Sequence, residues 1–74
     1  MSKEFMEEAM VVYAREIKDT EKKFNESFHK AVNAMWRGDT KNYKKYTEIA
    51  DSMKNKMQEL NYELDVIKAN YAAI

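Results

Sequence analysis

The sequence predicts an all-α fold: an antiparallel two-helix hairpin, coiled-coil-like, that dimerises into a four-helix bundle. Three observations predict it. Gly38 is the only glycine among 74 residues, and there is no proline. Apolar residues form two long stripes at steps of three and four, one on each side of that glycine. Folding the chain at Gly38 gives facing stripe residues a nearly constant index sum of 77 or 78, as an antiparallel pair requires.

The first helix is expected over about residues 3–37. Its stripe reads Met6, Met10, Tyr13, Ile17, Thr20, Phe24, Phe28, Ala31, Met35. Ser2 is a natural N-cap, because its hydroxyl can accept from a free backbone amide of the first turn. Glu4, Glu7 and Glu8 sit near the positive end of the helix dipole. Two successive steps of four, Thr20 to Phe24 to Phe28, predict a local relaxation of the left-handed supercoil.

The turn is expected at residues 38–39. Glycine suits the left-handed conformation just past a helix end, and Asp39 or Thr40 can cap the second helix. That helix is expected over about residues 40–72, and the stripe after the turn reads Tyr43, Tyr46, Ala50, Met53, Met57, Leu60, Leu64, Ile67, Tyr71, Ile74. Small residues then face large ones at Ala31/Tyr46 and Phe28/Ala50. Thr20 is the one hydroxyl in the seam, explained by a register-setting role or by a bond to its own backbone. The competing arrangement is one unbroken helix in a parallel coiled coil. A lone glycine costs a helix only about 1 kcal/mol. The constant sums and the Asp-Thr cap favour the hairpin.

The chain is one small domain. It has no cysteine, so neither disulfides nor thiolate metal sites reinforce it. Chains this short usually gain extra burial from a metal, a disulfide or association. Association is therefore expected, with a second copy as the first candidate. Two groups of apolar residues lie off the seam, and the register brings both to the terminal end: Phe5, Ala9 and Val12 on the first helix, and Tyr62, Val66, Ala69 and Ala73 on the second. They are the candidate protein interface.

Charge is polarised although the net charge is zero. Residues 22–45 carry seven basic and two acidic groups, whereas the flanking stretches are net acidic. Trp36, Arg37, Lys41, Lys44 and Lys45 cluster at the turn as a candidate second contact site for an acidic protein, since Trp and Arg dominate interface hot spots. Nucleic-acid binding by this basic turn is an alternative, disfavoured by the neutral chain. No membrane segment is evident, because the longest apolar run is Ala9–Ala14. With no signal-peptide core, the expected location is cytoplasmic.

No catalytic, cofactor or metal site is expected. Glu26 and His29 form a Glu-x-x-His, a spacing used by di-iron bundles when it faces the core, but the helical wheel turns both away from the seam. One histidine and no cysteine provide no conventional triad or zinc site. The chain is therefore read as a non-enzyme that acts by binding protein: an adaptor, regulator or inhibitor, with a phage or mobile element as an origin that suits its size.

Trp36-Arg37-Gly38 is a Trp-x-Gly at the turn of a helical hairpin, and in this the chain resembles the WXG100, or ESAT-6-like, family. The resemblance implies a leaderless secreted hairpin. Tyr71 is followed only by Ala-Ala-Ile, so that family's carboxy-terminal export signal has no counterpart. Glu63-Leu64-Asp65 with Ile67 and Tyr71 is similar to part of the Ser-Gln-Glu-Leu-Asp motif of small hairpin sporulation phosphatases. Leu64, Ile67 and Tyr71 already belong to the seam, and neither family is adopted.

Overall fold

The structure, a computed structural model, describes residues 2–74. Helix α1 spans Lys3–Trp36 and helix α2 spans Thr40–Ala72, and the two pack against each other along a rod of 54 × 14 × 12 Å. The described chain is thus all-helical, with no strand.

Each helix end is specified by local chemistry. The Ser2 hydroxyl accepts from the Phe5 backbone amide at 3.1 Å. At the other end of α1, Gly38 adopts φ +71°. Its amide donates to the Met35 carbonyl at 3.1 Å, and the Asp39 amide reaches back to the Ala34 carbonyl at 2.8 Å. These two bonds form a Schellman motif, which satisfies carbonyls that the helix end would leave free. Asp39 then caps α2. One carboxylate oxygen accepts from the Asn42 backbone amide at 3.2 Å, and the other accepts from the Asn42 side-chain amide at 2.7 Å.

Contacts between the helices fix the register. The Tyr71 hydroxyl donates to Glu7 at 2.7 Å, and the Lys30 ammonium lies 5.4 Å from the Tyr46 ring centroid. Their index sums, 78 and 76, bracket the expected value. Among the best-buried residues are Met6, Leu60 and Leu64, together with Ala31, Ala34 and Ala50 near the turn. Thr20 is buried, and its hydroxyl donates to the Glu16 carbonyl at 2.7 Å, so the seam hydroxyl is satisfied within its own helix.

One part of the expected seam is corrected. Phe28 and Met35 are 50% and 54% exposed, whereas their neighbours Ser27 and Ala34 are 8% and 0% exposed. The observed α1 seam continues Thr20, Phe24, Ser27, Ala31, Ala34, so the three-four alternation runs through without the extra step of four. The supercoil therefore has no reason to relax at Phe28. The buried positions beside the turn, Ser27, Ala31, Ala34 and Ala50, are all small, and side chains of that size let helix axes approach closely. Phe28 and Met35 are turned to one side. Tyr43, expected opposite Met35, is 41% exposed, and Ile74, expected as the last stripe residue, lies beyond the end of α2 and is exposed.

With the seam written as heptad positions a and d, Met6 is d and Met10 is a on α1, while Tyr46 is d and Ala50 is a on α2. In an antiparallel pair the flanking g positions of both helices border one face, and the e positions border the opposite face.

Candidate functional site

The apolar surface resolves into two grooves. At the terminal end, Phe5, Ala9 and Tyr13 of α1 meet Tyr62, Glu63, Val66 and Ile67 of α2. Every one of these occupies a c, d, f or g position, so this groove lies on the g face. Phe5, Tyr62 and Val66 are 57%, 71% and 43% exposed.

The structure brings together four of the expected interface residues, Phe5, Ala9, Tyr62 and Val66. Val12 is placed differently. It lies beside Val11, Glu7 and Glu8 in a separate shallow depression on the outside of α1. Ala69 on α2 and Ala73 just past its end are exposed and lie outside the lining of the terminal groove.

The terminal groove also holds a polar contact. The Glu63 carboxylate, as hydrogen-bond acceptor for the Tyr13 hydroxyl, raises that phenol above its ordinary pKa, with partial burial and the Glu63 charge acting in the same direction. At the rim, Glu7 does the same to Tyr71, and the Lys3 ammonium lies 5.5 Å from the Tyr71 ring centroid.

The second groove lies outside both expected contact sites. Near the turn, Phe24, Phe28, Val32 and Met35 face Tyr43, Thr47 and Ala50. These residues occupy a, b and e positions, so the groove opens on the e face, opposite the first. The Phe24 and Phe28 rings stack with centroids 6.1 Å apart. The sequence does carry a signal for it: Phe28 and Met35 stand seven residues apart, each one position after a small residue. Assigning the larger side chain to the core hides it.

Around the turn, Trp36 is 81% exposed, and Arg37, Lys41, Lys44 and Lys45 are exposed as well. Lys45 does not project freely from this cluster. Its ammonium and that of Lys30 both lie 5.4 Å from the Tyr46 ring centroid, which marks the g face at this end as basic. Glu26 and His29 sit on the outer surface of α1 with Lys18 and Lys22. Among the described residues, no group of three or more His, Cys, Asp or Glu gathers to hold a metal ion. No helix of the described chain is long and apolar enough to cross a membrane.

No family model matches the chain, and neither a curated protein nor a solved structure is significantly similar to it.

Proposed function

We propose that this protein is a non-enzymatic binding module that self-associates through the terminal groove, two hairpins forming a four-helix bundle. The observation that carries this reading is the apolar lining shared by Phe5, Ala9, Tyr62 and Val66, of which Phe5, Tyr62 and Val66 are exposed. Two helices are one layer thick, and a helix pair that size lacks the burial of an enclosed core. Covering this groove with a second hairpin supplies it. Light scattering at micromolar concentration tests the reading. The wild type has a mass near twice 8.8 kDa, while Phe5→Glu and Val66→Glu return to a single chain. A wild-type mass of one chain at that concentration contradicts it.

The exposure of Trp36 beside Arg37 and Lys41 supports a second contact, with an acidic protein, at the turn. A bundle that shows one groove to its own copy and the turn to another protein acts as an adaptor or regulator.

A further inference from the structure

The charges beside the seam follow a rule that differs between the two faces. On the e face, opposite charges oppose one another across the seam: Glu7 with Lys68, and Glu21 with Lys54. On the g face, like charges do. Glu16 stands across from Glu63, and the next row pairs Lys23 with Lys56. Like charges at such positions repel, and e and g charges set partner choice and orientation in helical assemblies. Charges across the e face are thus complementary by position, and those across the g face are alike.

The two like-charged rows are seven residues apart, and their midpoint on α1 falls between residues 19 and 20, which is the centre of Lys3–Trp36. We infer that a second copy docks on the g face with its long axis reversed, about a two-fold axis at that midpoint. The inference rests on the self-association proposed above and adds its geometry. The axis sets the acidic row of each copy on the basic row of the other. The same operation carries the row of Ala9 onto the row of Lys30 and Ile49. Each terminal groove then receives the partner's Ile49, a side chain 38% exposed on the lone hairpin, flanked by the stem of the partner's Lys30. Because the axis lies at the centre, the copies overlap along nearly their whole length. A two-fold axis along the rod would instead set acid on acid and base on base.

The test is a spin label on a single introduced cysteine, Lys41→Cys, at the turn end of the full chain. In the reversed dimer the two labels are about 50 Å apart, since the rod is 54 Å long. In the parallel dimer they are within about 25 Å, because neighbouring helix axes in a bundle are only about 10 Å apart. Salt provides an independent readout: it weakens the reversed dimer roughly tenfold by screening attraction, and strengthens a parallel one. Glu16→Lys/Glu63→Lys and Lys23→Glu/Lys56→Glu each lose dimerisation alone and recover it when mixed. A dimer with the short label distance overturns the geometry and leaves self-association standing. A monomeric wild type overturns both.

Discussion

The Tyr71 hydroxyl donates a 2.7 Å hydrogen bond to the Glu7 carboxylate, tying the last turns of α2 to the first turns of α1 across 64 residues of sequence. Tyr13 and Glu63 form a second cross-helix phenol–carboxylate pair about two turns further along. Hydrogen bonding to a carboxylate acceptor raises each phenol's pKa, because ionising the phenol destroys the bond and sets two negative charges together.

These pairs give the hairpin a pH dependence, with opposite signs at its two ends. A raised folded-state pKa means that the contribution of Tyr13 and Tyr71 is complete below the ordinary phenol value and is lost as pH rises through the folded value. Asp39 behaves inversely. The Asn42 backbone amide, then its side chain, hold the Asp39 carboxyl below its ordinary pKa. Its contribution is present above the ordinary carboxylate range and is lost as pH falls through the lowered value. Thermal unfolding monitored by circular dichroism should show Asp39→Asn keeping the cap while losing the acid-side slope. Tyr13→Phe/Tyr71→Phe should flatten the alkaline side.

Gly38→Ala should destabilise the hairpin by about 1–2 kcal/mol, the cost of a left-handed backbone for a residue with a Cβ. Space is not the cause, because a Cβ at Gly38 meets nothing within 4 Å. Gly38→Asn should cost less, since asparagine tolerates that conformation. Urea unfolding checks both, and equal losses for the two variants would move the cause away from the backbone.

The observed seam near the turn predicts an inversion of the usual size rule. Ala34→Leu forces a larger side chain into a fully buried position and should cost about 1–3 kcal/mol. Phe28→Ala removes a ring that is half exposed, so its cost should stay well below the roughly 3–5 kcal/mol typical of a buried Phe→Ala change. Leu60→Ala, deep in the seam, should cost about 2–5 kcal/mol. Denaturant melts of the three variants rank these values directly.

The legible parts of this fold are those in which one residue type answers one backbone need. Ser2, Gly38 and Asp39 announce the helix ends because few other residues can make those caps. The alternating stripe through Met6 to Phe24 and through Tyr46 to Tyr71 announces the pairing. Between Ser27 and Met35 two stripes run side by side, one small and one large, and hydrophobicity alone selects the large one. Only the packing against α2 selects Ser27 and Ala34 instead. The terminal groove is half legible for a related reason. A helical wheel groups Val12 with Phe5 and Ala9, but the groove needs residues within reach of α2, and Val12 points past it.

The most direct test of the terminal groove as the site of self-association is hydroxyl-radical footprinting of the wild type across a dilution series. Phe5 and Tyr62 should lose reactivity several-fold as the concentration rises into the range where mass doubles, while Phe28 and Met35 on the opposite face stay reactive. Protection of Phe28 and Met35 with Phe5 and Tyr62 unchanged would contradict a dimer built on the terminal groove.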